Sequence, residues 1–269
     1  MGMKQSILLK NVRNARELGG YPVKDGKNVK SGVLLRTAKL TDITDEEINI
    51  LREQYHVGDI VDFRMPMEIM DDFDPTIEGV KNTHLDVIYI PEEIMGDMDG
   101  ISMEAADIAQ LADAADKMGM MNDDMYIGFL SCDKGKKAFS EFFRILLSAG
   151  PDKAVLWHCT GGKDRTGVAA MLILSALGAD ETTILDDYAL TNEYNARYIE
   201  RTKMYMKQKG FDDTFINKAI LVFDAVDRSF MEKALAFLKT TYGSALNYIK
   251  TELNVSNEEI ALLKEKYTV

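Results

Sequence analysis

The chain has 269 residues, 46% of them hydrophobic, and carries 32 Lys and Arg against 44 Asp and Glu, a formal net charge of -12. A chain of this size buries a substantial core, and so acidic a molecule offers no broad cationic surface to nucleic acid; an anion must be met by a local positive spot. Two cysteines make no disulfide framework, no run reaches the roughly 18 apolar residues of a membrane helix, and the apolar stretch Ile7-Leu8-Leu9 is too short for a signal peptide, so a reducing, cytoplasmic setting is expected.

Taken in order, Asn14-Ala15-Arg16-Glu17-Leu18-Gly19-Gly20-Tyr21 is a polar loop closed by paired glycines. Gly32-Val33-Leu34-Leu35-Arg36-Thr37 reads as a buried strand with a polar end. Thr44-Asp45-Glu46-Glu47 is a capping box, which predicts a helix to about Tyr55 with Ile48 and Leu51 facing inward. Val57 to Phe63 is a second strand ending in Asp62-Phe63-Arg64, and His84 to Ile90 a further one, stopped by Pro91. From 92 to 130 the composition turns to Met, Asp, Ala and Gly, with helical segments around Met103 to Met118 and Asn122 to Leu130. This stretch is expected to be an insertion over the C-terminal edge of the sheet, its methionines 118, 120, 121 and 125 serving as core filler or as an adaptable lid. Lys136 to Ser148 is apolar at helical spacing through Phe139, Phe142, Phe143 and Leu146. Further helices are predicted over Glu181 to Met206 and Asp224 to Leu238, and Ser256-Asn257-Glu258-Glu259 caps the last. The elements make an α/β chain, as one large domain or two small ones.

The chemistry concentrates in Trp157-His158-Cys159-Thr160-Gly161-Gly162-Lys163-Asp164-Arg165-Thr166-Gly167. Before it, Ala154 to Trp157 is short, apolar and β-prone; after it, Val168 to Leu177 is helix-forming and ends at Gly178. A loop that opens onto a helix N-terminus presents unpartnered N–H groups and the positive end of a dipole, and two glycines let its backbone curl into a nest for an anion. A cysteine in such a field is set up as a thiolate nucleophile. Arg165 adds a planar fork that matches two phosphate oxygens. Thr160, Gly161, Gly162, Lys163, Asp164, Arg165 and Thr166 would hold the phosphate, Thr166 also reaching the sulfur, and His158 would brace the loop. Gly162-Lys163 is followed by Asp164 and preceded at the fifth step by Trp157, so the Walker pattern fails. Adjacent His158 and Cys159 cannot both ligate one zinc, and only Cys132, His56 and His84 remain as partners. No metal or organic cofactor is called for, because the arginine and the loop amides supply the positive charge.

The spacing Cys-x5-Arg after His158 and before Thr166-Gly167 resembles the phosphate loop of cysteine-dependent protein tyrosine phosphatases. Lys163-Asp164 before the arginine is similar to the His-Cys-x-x-Gly-Lys-Asp-Arg-Thr-Gly pattern of a bacterial family of tyrosine and lipid phosphatases. The Asn14 to Tyr21 segment resembles that family's Asn-Phe-Arg-Asp-Leu-Gly-Gly-Tyr, Arg36-Thr37 its Arg-Ser, and Asp62-Phe63-Arg64 its Asp-Leu-Arg. The resemblance runs from about Asn11 to the end. It implies a single α/β domain over 1–269 of tyrosine phosphatase-like fold, a central, mostly parallel sheet flanked by helices with a helical lid at 92–130, and hydrolysis of phosphomonoesters through a phosphocysteine. Phosphotyrosine and, given Lys163, phosphoinositide headgroups are the implied substrates, with phosphoserine and phosphothreonine beside them. Arg16, Arg36 and Arg64 join His158 as supporting residues. Asp62 is general acid or the ion-pair partner of Arg64; Asp164 is an anchor for Arg165 or the acid itself, with Asp62 preferred for the proton because the neighbours of Asp164 favour its ionisation; Asp97 and Asp99 stand in reserve. The competing classes are an inositol phosphate phosphatase, which would favour a basic surround, a rhodanese-like sulfurtransferase, which needs no arginine at the sixth step, and a catalytically silent phosphate-binding module. Oligomeric state is not encoded in any motif.

Overall fold

The computed structural model describes residues 5–70, 72–88 and 123–269. Its centre is a five-stranded sheet in the order β1-β2-β5-β3-β4, made of β1 (Arg16–Glu17), β2 (Leu34–Thr37), β3 (Val57–Asp62), β4 (Lys81–His84) and β5 (Ala154–His158). The short β1 runs antiparallel to β2, and every other pairing is parallel. All five residues of the central β5 are buried, as its unbroken apolar run requires of a strand covered on both faces.

Alternate residues feed opposite layers. Leu34, Val61, Val155 and Trp157 enter the larger core, which they share with helices on that face. These are α3 (Met125–Ser131), α4 (Asp133–Ser148), α5 (Asp164–Leu177), α6 (Glu181–Tyr194), α9 (Arg228–Tyr242), α10 (Ala245–Thr251) and α11 (Asn257–Tyr267). Leu35, Ile60, Ala154 and Leu156 face the other way, onto Ile7, Leu9 and the apolar side of α1 (Asp45–Glu53). A four-residue helix α2 (Pro66–Ile69) follows β3, and α7 (Ala196–Gln208) pairs with α8 (Asp213–Phe223) around a small core of Met206, Ile216, Ala219 and Ile220.

Both predicted capping boxes form: Thr44 with Glu47 at α1, and Ser256 with Glu259 at α11. α5 is buried along almost its whole length and ends at Gly178, whose φ of 96° lets the chain turn away. Three element assignments need correction. The strand expected over His84 to Ile90 is instead Lys81–His84, an exposed, polar edge strand; Val87 and Ile88 are buried without joining the ladder. The helix expected over Glu181 to Met206 breaks at Asn195, which is buried and donates its side-chain amide to Asp224 O (2.7 Å). Helix α8 was not anticipated, and the next helix begins at Arg228, capped by Asp227, rather than at Asp224.

Of the insertion expected at 92–130, residues 92–122 lie outside the described ones, and with them Asp97, Asp99, Met118, Met120 and Met121. Met125, at the start of α3, packs against the larger core. Among the described residues no helix is long and apolar enough to cross a membrane.

Candidate active site

Strand β5 delivers Cys159 to the C-terminal edge of the sheet, and the chain turns through five residues into α5. Of the two loop glycines only Gly162 is demanded by geometry. Its φ is +65°, and a Cβ there would lie 2.3 Å from Thr37 O; at Gly161 the nearest atom is 3.6 Å away. Gly162 O accepts from Asn14 Nδ2 (2.8 Å) and Arg36 Nη2 (3.0 Å). Because the peptide is planar and trans, a carbonyl pulled toward those donors turns the following Lys163 N–H the opposite way, toward the cradle.

Behind that peptide lies a buried ion cluster. Asp187 of α6 accepts from Arg16 Nε (3.0 Å), from Arg36 Nη1 and from Tyr21 Oη (3.2 Å), and Arg16 also donates to the side chain of Asn14. Burial works against the charge of Asp187, yet the two guanidiniums hold it below the usual carboxylate range. Burial and the neighbouring Arg16 push Arg36 down to about 10. Arg16 and Arg36 thus act beneath the loop, with their forks committed to Asp187 and to backbone.

Arg165 is buried, and Glu68 of α2 meets it end-on: Nη1 to Oε2 at 2.5 Å and Nη2 to Oε1 at 2.8 Å, with Nη1 also donating to Phe63 O at 3.2 Å. Glu68 also accepts from Met65 N (2.7 Å) and Thr160 Oγ1. Although burial opposes its ionisation, the charge of Arg165 and these donors bring it down to about 2. With the guanidinium's end occupied, its Nε–H and the outer Nη2–H form the edge left for two oxygens of a ligand. Glu68 lies outside every motif of the loop. Its signal was present in Pro66 at the first helical position with Glu68 at the third, the signature of a helix start.

Asp62 and Arg64 do reach the site's edge of the sheet, where Asp62 pairs with His158 across the strands. Both Asp62 oxygens accept from Arg64 Nε (3.0 Å each), Oδ2 takes Nη2 (2.8 Å), and Oδ1 takes the Arg64 backbone N–H (2.9 Å). Arg64 Nη2 also donates to Asp74 Oδ2 (2.8 Å), which lies 3.0 Å from His158 Nε2. Asp62, Asp74 and His158 are close enough to suggest a metal cluster, but the Arg64 guanidinium already serves as the cation of both carboxylates.

Asp164 does not touch Arg165. Tyr126 of α3 donates to its Oδ1 (2.7 Å), and Lys163 Nζ straddles the carboxylate, donating to Oδ1 at 3.2 Å and standing 3.1 Å from Oδ2. Lys163, expected among the residues that hold the phosphate, is buried and donates to Leu221 O of α8 (2.7 Å). Thr166 Oγ1 is buried with no hydrogen-bond partner among the described residues. Cys159 is buried; Cys132, half-buried, caps α4 by accepting from Gly135 N (3.3 Å).

A mostly parallel sheet whose central strand runs through a cysteine loop into a buried helix defines a tyrosine phosphatase-like α/β protein. The chain matches the model of the tyrosine phosphatase family over residues 7–269, and it belongs to that family. It is 26% identical, over 98% of its own length and 89% of the relative's, to a protein of Cupriavidus necator named as a tyrosine-protein phosphatase. It is also similar to the triple specificity protein phosphatase PtpB of Mycobacterium tuberculosis, 28% identical over 56% of each chain. A tyrosine-protein phosphatase of Nostoc commune is 34% identical over 44% of this chain and 40% of its own.

Proposed function

We propose that this phosphatase hydrolyses phosphomonoesters through a phosphocysteine on Cys159, with phosphotyrosine the preferred substrate. The observation that carries the reading is the end-on Glu68–Arg165 pair, which leaves a two-donor edge of the arginine beside the loop that holds Cys159. Such an arrangement is built for two equatorial oxygens of a phosphoryl group. Neither sulfur transfer nor silent phosphate binding requires it together with a cysteine.

In the first step the Cys159 thiolate attacks phosphorus in line, the S–P bond forming as the P–O bond to the leaving group breaks. The loop N–H groups and the Arg165 edge hold the oxygens; Thr166 Oγ1, with no partner among the described residues, donates toward the sulfur or the phosphoryl group. The leaving oxygen needs a proton. Asp62 has both oxygens on Arg64, Glu68 has both on Arg165, and Asp74 accepts from Arg64 and from Leu40 N. Asp164 is the described loop carboxylate with an oxygen facing only a lysine, and its side chain is 21% exposed. It therefore gives the proton from Oδ2 in the first step. In the second it takes one from the attacking water as the S–P bond breaks and the thiolate returns. Asp62, Arg64, His158, Arg16 and Arg36 support the loop. Lys163 spends its ammonium on Leu221 O and Asp164, which weakens the case for inositol headgroups and ranks phosphotyrosine above phosphoinositides.

A phosphate-release screen over phosphotyrosyl and phosphoseryl peptides and a phosphoinositide tests this ranking. The expected result is highest kcat/KM on phosphotyrosine. A phosphoinositide preferred by about tenfold or more would reverse the order, and transfer of sulfur from thiosulfate without phosphate release would replace the class.

A further inference from the structure

A second polar chain reaches the loop from the helical side, and no step above uses it. Tyr126 Oη donates to Asp164 Oδ1 at 2.7 Å, and Tyr188 Oη lies 2.6 Å from Tyr126 Oη. Both rings are buried, and they meet edge to face at 5.9 Å and 88°. A phenol has one hydrogen. Since Tyr126 gives its hydrogen to Asp164, the contact between the phenols must be filled by the hydrogen of Tyr188. The chain is therefore directional, from Tyr188 to Tyr126 to Asp164, and each bond polarises the next. Burial and, after it, the charge of Asp164 push both phenols well above their ordinary values.

Placement of the rings is equally constrained. Tyr126 packs against Phe129 and Phe230 as well as Tyr188. Tyr188 approaches α5 so closely that a Cβ on Gly167 would lie 3.2 Å from its Cδ2. A phenol held this firmly fixes the rotamer of the carboxyl group it binds. With Tyr126 on Oδ1, Oδ2 faces only the Lys163 ammonium among the described residues and is the oxygen left for a transferable proton.

We propose that Tyr126, backed by Tyr188, is a positioning residue for proton transfer: it holds Asp164 so that Oδ2 faces the leaving-group oxygen. This rests on the reading of Asp164 as acid and on nothing assumed about the substrate beyond the ester oxygen. Helix α6 then serves the loop twice through neighbouring residues, Asp187 by way of Arg36 and Tyr188 by way of Tyr126.

The test uses the full chain and a pair of aryl phosphates that differ in leaving group. A nitrophenolate needs little protonation and a tyrosine phenolate needs it fully. In Tyr126→Phe, which keeps the ring and its packing, kcat on nitrophenyl phosphate is expected to stay within about threefold of wild type while kcat on phosphotyrosine falls by about tenfold or more. Tyr188→Phe should show the same split at smaller size. In an Asp164→Asn background the Tyr126 substitution should add nothing to the split, because both changes remove one function. Equal losses on both substrates, or losses that add to those of Asp164→Asn, would make the tyrosines core packing and overturn the proposal. If Tyr126→Phe does not fold, the Tyr188→Phe comparison decides by the same criteria. Failure of the parent reading looks different: wild-type protein would release no phosphate from nitrophenyl phosphate, or Asp164→Asn itself would show no leaving-group split.

Discussion

Replacing Arg165 by lysine is expected to cost about a thousandfold or more in turnover of an aryl phosphate, with the chain still folded. Lysine keeps a positive charge near Glu68, so the buried carboxylate retains a counterion. It cannot do both jobs of the guanidinium, which meets Glu68 with its end and leaves a second edge for the phosphoryl oxygens. Turnover within tenfold of wild type would remove Arg165 from the chemistry. Glu68→Gln belongs to the same experiment. It should lower turnover by roughly ten- to a hundredfold by loosening the arginine rather than removing it. The pH dependence of stability should change too. Glu68 is depressed from 4.5 to about 2 in the folded protein, so its charge stabilises the fold fully above about 4.5 and loses that contribution as pH falls toward 2. The glutamine variant should lack this part of the acid-induced loss, read as a flatter acid limb in a plot of unfolding midpoint against pH.

The second large effect is on stability. Asp187→Asn should destabilise the protein by roughly 3–5 kcal/mol, because Arg16 and Arg36 are fully buried and Asp187 is the carboxylate they share. A denaturant titration at neutral pH measures it directly. Asparagine preserves the shape and leaves two guanidiniums in the interior without that counterion. The Gly162 carbonyl would also have one of its two donors loosened, since Arg36 is held in place by Asp187. A variant with an unchanged midpoint would show that water or a shifted backbone compensates, and the cluster would then carry less of the loop's rigidity than its burial indicates.

These two clusters also mark where sequence reading ended. The stretch Cys159 to Arg165 was legible as a unit because strand, loop, fork and helix start are contiguous, whereas Lys163 and Asp164 take partners from α8 and α3 that no local pattern announces. The capping boxes at Thr44 and Ser256 were legible for the same reason. Glu68, Asp187, Tyr126 and Tyr188 reach the loop from helices outside it, and no spacing rule connects them to it. Asp187 in particular sits in a helix whose polar residues are distributed all round, so nothing in the pattern separates a buried carboxylate from a solvated one. Residues Leu185 to Asn192 carry no chemical motif, yet they supply two of the groups behind the site, Asp187 and Tyr188. Asp62 shows the converse. Its place at the end of a parallel strand was correctly foreseen, but whether its oxygens were free or held depended on Arg64, two residues on, and only geometry could decide. The misplaced β4 has a simpler cause: an edge strand pairs on one side, and Lys81-Asn82-Thr83-His84 carries no apolar signature.

The claim on which all of this rests is that Cys159 is phosphorylated during turnover. Mixing the enzyme rapidly with an aryl phosphate, quenching in denaturing alkali and mapping the peptides by mass tests it directly. The account predicts one phosphoryl group on the peptide that carries Cys159, formed with the burst of released phenol and absent from Cys159→Ser, which should also fail to turn over. Steady turnover with no phosphoryl group on that peptide, or sustained turnover by the serine variant, would contradict it.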